Sequence, residues 1–168
     1  MRKIHFLLFA FLVLFFSQCA KKGRPGGGPK DEDAPLFVTA NPPYESTNFN
    51  KNEINIYFNE YIKLKDLNKQ LIISPPLNPA NPSLISPQGS PSKFINIKIL
   101  DTLKENSTYI FDFGNSVQDN NESNVLERFK YVFSTGTYID SLTLEGNVKN
   151  AFKSEDLKNI KLLLYRLD

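Results

Sequence analysis

The 168 residues contain one cysteine and one histidine, and both lie near the amino terminus. These two residue types supply most nucleophilic pairs and most zinc ligands in proteins. His5 directly precedes an apolar run, and Cys19 closely follows it. Elsewhere in the chain, acid–base chemistry is left to paired carboxylates or a lysine base, and no motif indicates either of them.

The amino-terminal segment has the organisation of a secretory signal peptide. Arg2 and Lys3 precede eleven consecutive apolar residues, Phe6 to Phe16. This run is too short for a bilayer-spanning helix, which needs about 20 apolar residues, and it lacks the polar face of a core helix. We therefore predict that residues 1–18 direct export and are then removed.

Removal of this segment would take the histidine with it. We then expect no Ser-His-Asp or Cys-His catalytic pair and no histidine–thiolate zinc site in the mature chain. The glycine triplet Gly26 to Gly28 does not follow a predicted strand, so it is not read as a nucleotide-binding loop. The sequence thus predicts no catalytic residue, no cofactor and no metal site, and we expect that the protein is not an enzyme.

Residues 16–19, with the sequence FSQC, resemble the lipobox of bacterial lipoprotein precursors. The resemblance implies that Cys19 receives a diacylglycerol, becomes the new amino terminus and is acylated again. The alternative is cleavage elsewhere, which would leave a free thiol without a disulfide partner. Because two or more acyl chains make a durable anchor, we predict Cys19 as the lipid-attachment residue and the membrane as its partner.

Residues 19–33 are expected to form a flexible tether. The stretch from Lys21 to Asp33 contains four glycines, two prolines and mixed charge, without an apolar residue. Such a composition cannot bury enough surface to fold. In some lipoproteins, acidic residues close behind the cysteine mark export to the cell surface. Here Lys21 and Lys22 come first and acidic residues begin only at Asp31, so the resemblance implies a bacterial envelope protein of the outer membrane, on its periplasmic side rather than the cell surface.

The charge of the mature chain argues against nucleic acid as a partner. Without Arg2 and Lys3, the 20 basic residues become 18, which equals the 18 acidic residues. Proteins that bind nucleic acid usually present a basic face or stripe. We therefore expect no nucleic-acid partner.

Short β-strands are predicted for the body of the protein. Apolar and polar residues alternate in EINIYFNE, KFINIKI, TYIFDFG and FKYVFSTG, which is typical of strands with one buried face. The predicted inward positions are Ile54, Ile56, Phe58, Ile95, Ile97, Ile99, Tyr109, Phe111, Phe113, Phe129, Tyr131 and Phe133. Further strands are expected near residues 36–40, 70–74 and 84, separated by proline-rich turns.

About seven short strands over roughly a hundred residues predict an all-β, antiparallel sandwich. Tyr61 to Asn68 is the one passage expected to form a helical turn. Tyr109, near the start of a late strand, is a candidate tyrosine corner, in which the hydroxyl bonds to backbone a few residues upstream. The alternative is an ordinary core tyrosine.

Several motifs of residues 34–137 resemble the bacterial Ig-like domain found in surface-layer proteins and envelope lipoproteins. The motifs are Phe58 to Glu60, Ile72 to Pro76, Leu103 to Tyr109, Asp119 to Ser123 and Phe133 to Gly136. The resemblance implies an Ig-like β-sandwich. Since fold does not fix function, it says less about activity.

Residues 138–168 resemble the opening of a carboxypeptidase-regulatory-like, prealbumin-type β-domain. The positions expected to point inward or to pair are Leu144, Val148, Ile160, Leu162 and Leu164. We interpret this segment as an incomplete second β-domain of a longer chain. The alternative is that its strands dock on the first domain.

Three polar features are candidate sites. The cluster Asp112 to Asn124 could ligate Ca²⁺, although its spacing differs from an EF-hand loop, and a structural turn is the favoured interpretation. Asn106 to Thr108 is a formal glycosylation sequon that we expect only to begin a strand. Glu60 could be taken for a catalytic acid, but the sequence places no second carboxylate opposite it. Packing at the surface or in a turn is therefore the favoured interpretation.

Three functions remain open at this point. The favoured one is a non-catalytic spacer or protein-interaction module of a lipid-anchored envelope protein. The second is glycan binding through outward aromatic residues such as Tyr57 and Phe94. The third is an accessory domain of an enzyme that lies beyond residue 168.

Overall fold

The computed structural model describes residues 28–141, 146–152 and 160. The chain divides into two compact units, residues 1–32 and 33–168. In the first unit, residues 28–32 are exposed and form neither helix nor strand. The predictions for the signal peptide, for Cys19 and for most of the tether lie outside the described residues.

The described part of the second unit forms two antiparallel sheets, which confirms the all-β prediction. The larger sheet has the order β1-β2-β5-β4, with β7 also paired to β2, and the smaller sheet has the order β3-β6-β8. The strands are β1 (Phe37–Asn41), β2 (Glu53–Leu64), β3 (Ile72–Ser74), β4 (Leu84–Ser86), β5 (Ser92–Lys98), β6 (Thr108–Gly114), β7 (Val117–Asp119) and β8 (Phe129–Ser134).

Alternation of side chains along the strands creates the core between the sheets. Buried residues alternate with less buried ones through residues 53–58 of β2, 94–98 of β5 and all of β6, as the sequence predicts. The fully buried apolar side chains include Ile54, Ile56, Ile62, Ile95, Ile97, Phe111, Phe113, Val117, Tyr131 and Phe133. Phe58 of the larger sheet and Phe129 of the smaller one meet with ring centroids 5.5 Å apart, in an edge-on contact. Burial of each such side chain contributes about 1.5–3 kcal/mol to the free energy of folding.

The outer edge of β8 is covered by the segment 44–49. The amide of Glu45 donates to the carbonyl of Val132 at 2.9 Å, and the amide of Ser134 donates to the carbonyl of Ser46 at 2.8 Å. Phe49 then inserts against Phe133, with ring centroids 4.0 Å apart. This cover satisfies backbone groups that an open edge would leave available to another chain.

Prolines follow the ends of three strands, in agreement with the predicted turns. The peptide bonds preceding Pro42, Pro75 and Pro87 are cis, and these residues directly follow β1, β3 and β4. Each of these strands therefore ends where proline can no longer donate to the ladder.

The prediction of a helical turn over Tyr61 to Asn68 was wrong in its position. β2 continues through Leu64, because Ile62 to Leu64 pair with β7. A single helical turn, α1 (Leu67–Gln70), follows only after Asp66 adopts a left-handed conformation, with φ of 52°. Long-range pairing with β7 thus extends the strand over residues assigned to a helix on local grounds.

The strand count was also too low, because β7 lies inside a segment interpreted as a polar turn. All three of its residues, Val117, Gln118 and Asp119, are buried.

In the segment 138–168, Val148 and Ile160 are exposed, at 39% and 47%. Leu144, Leu162 and Leu164 lie outside the described residues, so the second β-domain stays a prediction.

Candidate functional site

The polar segment 112–124 is organised around the buried carboxylate of Asp119, which is 2% exposed. Its Oδ1 atom accepts hydrogen bonds from the backbone amides of Glu122 and Ser123, at 2.7 and 3.0 Å. Its Oδ2 atom accepts one from the amide of Asn124, at 2.7 Å. The carboxylate therefore closes the loop that follows β7.

These contacts also set the protonation of the carboxylate. Burial by itself raises the pKa of Asp119, but hydrogen bonds from the backbone of Asn124, Ser123, Glu122 and Asn121 outweigh it and hold the pKa below its usual value. Hydrogen bonds donated to a carboxylate favour its charged form. Asp119 is thus ionised at neutral pH.

Two lysines lie against the same segment. Lys63 Nζ donates to the carbonyl of Asn120 at 3.2 Å and to Ser123 Oγ at 2.9 Å. Lys130 Nζ lies 3.4 Å from Asp112 Oδ2, while Asp112 Oδ1 accepts a hydrogen bond from the amide of Gly114. Within the residues that the structure describes, no three His, Cys, Asp or Glu side chains converge on one point as metal ligands. The observed contacts fit the interpretation as a structural turn.

Tyr109 forms the predicted tyrosine corner. Its ring is 2% exposed at the start of β6, and its hydroxyl oxygen accepts a hydrogen bond from the backbone amide of Lys104 at 2.9 Å. The contact joins the strand to the chain five residues upstream. Tyr109 therefore fixes the entry into β6.

Tyr131 has a comparable role on β8. Its hydroxyl donates to the backbone carbonyl of Pro42 at 2.7 Å. Burial raises the pKa of Tyr131 to about 12, so the phenol stays neutral over the physiological range. The hydroxyl groups of Tyr109 and Tyr131 thus form hydrogen bonds with backbone groups.

The remaining candidate residues are placed within strands. Glu60 is half-buried in β2. The sequon residue Thr108 is the first residue of β6, which confirms that this tripeptide leads into a strand. Ser107, just before it, donates its backbone amide to Thr135 Oγ1 at 3.0 Å.

An aromatic pair lies on the outer face of the larger sheet. Tyr57 of β2 and Phe94 of β5 are directly opposite each other in the register. Their ring centroids are 5.8 Å apart, and the rings are 39% and 41% exposed. The outward orientation predicted for both residues is confirmed.

Polar side chains follow immediately on the same face. Asn55 and Asn96 are the next opposed pair along these strands, and Glu53 lies opposite Lys98 in the pair after that. Asn96 Nδ2 donates to Asn55 Oδ1 at 2.8 Å and to Glu53 Oε1 at 2.6 Å. The two rings, the two amides and the carboxylate form one continuous surface, which we call the aromatic–amide face (Tyr57, Phe94, Asn55, Asn96, Glu53).

Residues 31–135 match the profile of a family described as the bacterial Ig-like domain. This match spans more than half of the chain. The chain belongs to the bacterial Ig-like domain family. Comparison with curated proteins gave no match.

Membership confirms the Ig-like part of the resemblance found in the sequence. A bacterial Ig-like domain points to a bacterial surface or interaction module, and such domains are typically non-catalytic. In the described part of the chain, no helix is both long enough and apolar enough to span a membrane.

In the described part of this bacterial Ig-like domain, open clefts lie beside α1 and along the loops. One of about 350 Å³ lies between α1 and the turn at Pro87 to Gly89. Its charged residues, Asp66 and Lys69, form an exposed ion pair with an N–O distance of 3.3 Å. An exposed pair of this kind contributes little free energy to folding.

Two features of the Ig-like domain were missed from the sequence. The central role of Asp119 depends on the turn that brings three amides to one carboxylate, and the only local signal was the run of Asp and Asn residues. The amide pair Asn55 and Asn96 joins positions 41 residues apart. The alternating patterns predict that both asparagines point outward. They do not predict the strand register that places the two side chains opposite each other.

Proposed function

We propose that this chain is a lipid-anchored protein of the bacterial cell envelope, whose Ig-like domain is a non-catalytic interaction module. Acylated Cys19 attaches the chain to the membrane, and residues 19–33 hold the domain away from the surface. The anchor is supported by the sequence, in which a lone cysteine follows a short apolar run behind a basic start. The outer membrane, on its periplasmic side, is the proposed location.

One observation carries the non-catalytic part of the proposal. Three buried polar groups of the sandwich bond to backbone: the Asp119 carboxylate to three amides, the Tyr109 hydroxyl to the amide of Lys104, and the Tyr131 hydroxyl to the carbonyls of Pro42 and Pro43. A catalytic acid or base has to reach substrate from a cleft. These groups instead stabilise the scaffold, which presents its outer faces to a partner.

Metabolic labelling with an alkyne fatty acid tests the anchor. The wild-type chain, expressed in a bacterial host, is expected to carry the label and to remain in the membrane fraction. Cys19→Ala should abolish the label and release the protein, while Lys22→Ala, three residues away, should change neither. Equal labelling of the wild type and Cys19→Ala would refute the anchor.

A further inference from the structure

We propose that the aromatic–amide face binds a neutral, β-linked glycan chain. The two rings stack on the apolar faces of sugar residues, and the amides and carboxylate bond to sugar hydroxyls. This inference rests on the proposed function, because it names the ligand class of the interaction module. It concerns residues of the outer face of the larger sheet and does not involve Cys19.

The ring pair provides a stacking surface. Tyr57 and Phe94 are each about two-fifths exposed, and their interplanar angle is 41°. The face of an aromatic ring carries a partial negative charge, which attracts the weakly positive C–H groups of a sugar ring. Two adjacent tilted rings therefore present a shallow trough in which a pyranose can lie.

Unused hydrogen-bonding atoms lie beside the rings. The contacts of Asn96 Nδ2 orient both amides and the carboxylate. Among the described residues, no protein group bonds to Asn55 Nδ2, Asn96 Oδ1 or Glu53 Oε2. These atoms comprise a donor and two acceptors, and adjacent sugar hydroxyls can satisfy both types.

The spacing fits one sugar residue for each ring–amide unit. Residues i and i+2 of a strand lie about 6.7 Å apart on the same face. Asn55 stands at this spacing from Tyr57, and Asn96 stands at it from Phe94. A sugar stacked on a ring thus places its hydroxyls over the neighbouring amide.

The charge of the surface favours a neutral ligand. Glu53 lies directly opposite Lys98 in the register, so the polar end of the face carries one charge of each sign. A uronate, sulfate or phosphate ligand would meet the Glu53 carboxylate directly beside the two amides. Because Lys98 balances Glu53, this end of the face has no net positive charge with which to attract an anionic ligand.

A third ring extends the surface along β2. Tyr61 is 56% exposed, and Lys93 Nζ lies 5.4 Å from its ring centroid. Four residues of strand separate Tyr61 from Tyr57, a distance of at most about 13 Å, and the pairing of β2 with β5 shifts register within this segment. The ligand that fits this length is an oligosaccharide in an extended, β-linked conformation rather than a single sugar.

A protein partner fits the face less well. Protein interfaces usually bury about 800 Å² on each side and have an apolar centre surrounded by a polar rim. Here the centre of the apolar strip is one opposed pair, Tyr57 and Phe94, with Tyr61 farther along β2, and the amides adjoin the pair directly. The apolar pair Tyr57 and Phe94 lies next to the polar pair Asn55 and Asn96. This arrangement matches a sugar, whose C–H groups and hydroxyl groups also lie side by side.

Isothermal titration calorimetry with three hexasaccharides tests the proposal, using the full chain purified in a mild detergent. Cellohexaose and chitohexaose are β-linked and extended, whereas maltohexaose is α-linked and curved. We expect binding of one or both β-linked probes, and which of them binds distinguishes a plain glucan from an N-acetylated glycan. Binding of maltohexaose alone, or of no probe, would overturn the inference.

Variants then locate the site. Tyr57→Ala should weaken binding about tenfold because one stacking contact is lost, and Asn96→Ala should weaken it about fivefold because its hydrogen bonds are lost. Tyr57→Phe, which keeps the ring, should bind within about twofold of the wild type. Tyr138→Ala is the matched control, since this tyrosine is 62% exposed and lies after β8 of the other sheet.

Variants that weaken binding must still fold, which far-ultraviolet circular dichroism verifies. Binding that is equal in the wild type, Tyr57→Ala and Asn96→Ala would place the ligand elsewhere and overturn the inference. The outcome is independent of the anchor, because glycan binding is measured in detergent and acylation is measured by labelling. A negative result in the glycan titration therefore leaves the lipid anchor intact, and a negative labelling result leaves glycan binding intact.

Discussion

Replacement of Asp119 by asparagine is the sharpest test of how the scaffold is held together. The substitution keeps the size and shape of the side chain and removes its charge. One carbonyl oxygen can still accept from the amides of Glu122 and Ser123. The new amide group then faces the backbone N–H of Asn124, which donates to Oδ2 at 2.7 Å in the wild type.

The size of the effect follows from these three contacts. A hydrogen bond to a charged group contributes about 1.5–3 kcal/mol, and a neutral one about 1 kcal/mol. Asp119→Asn loses one charge-assisted bond, weakens two others and brings two donors together. Because residues 120–122 are exposed and water can replace part of the loss, we expect the free energy of unfolding to fall by about 3 kcal/mol.

The effect should depend on pH in a defined direction. The pKa of Asp119 is lower in the folded protein than the usual value of 3.8. A carboxylate with a depressed pKa stabilises the fold fully above its unfolded pKa, and this stabilisation is lost as pH falls through the folded pKa. The difference between wild type and Asp119→Asn should be constant from about pH 5 to 8 and should shrink below about pH 3.9.

Urea denaturation at a series of pH values measures this difference. With an m-value of about 2 kcal/mol per M, the midpoint should fall by about 1.5 M at pH 7. Asp140→Asn is the control, since it removes an exposed carboxylate of the same type. A loss below about 0.5 kcal/mol at pH 7, or an equal loss at pH 3 and pH 7, would show that Asp119 does not organise this loop.

Three further predictions concern the core. Tyr109→Phe should lower the free energy of unfolding by about 1–3 kcal/mol, because the Lys104 amide loses its acceptor; Tyr57→Phe should change it little in the same urea experiment, and equal effects would contradict the tyrosine corner. Phe111→Ala should cost about 3–5 kcal/mol through the cavity it leaves, whereas Leu84→Ala, at a side chain that is 54% exposed, should cost about 0.5 kcal/mol or less in thermal unfolding. In an alkaline spectrophotometric titration, one tyrosine should ionise near pH 12 and disappear in Tyr131→Phe; an unchanged titration curve would contradict the burial of this phenol.

Local sequence was sufficient for much of the fold, because strand periodicity depends only on neighbouring residues. The alternation in β2, β5 and β6 correctly separated inward from outward side chains. The tyrosine corner was also visible, since Tyr109 and the amide it binds are five residues apart.

Features that depend on distant contacts were not visible in the sequence. β7 is short and two of its three residues are polar, so only its pairing with residues 62–64 identifies it as a buried strand. The same pairing decides where β2 ends and α1 begins. The aromatic–amide face likewise depends on the register between β2 and β5, which turns two separate outward rows into one surface.

Mass spectrometry of the mature amino terminus measures whether Cys19 carries the lipid on which the proposed membrane attachment depends. We expect the purified chain to begin at Cys19, with a diacylglyceryl group on the sulfur and an acyl group on the nitrogen. A mature chain that begins at another residue, or that carries Cys19 as an unmodified thiol, would contradict it.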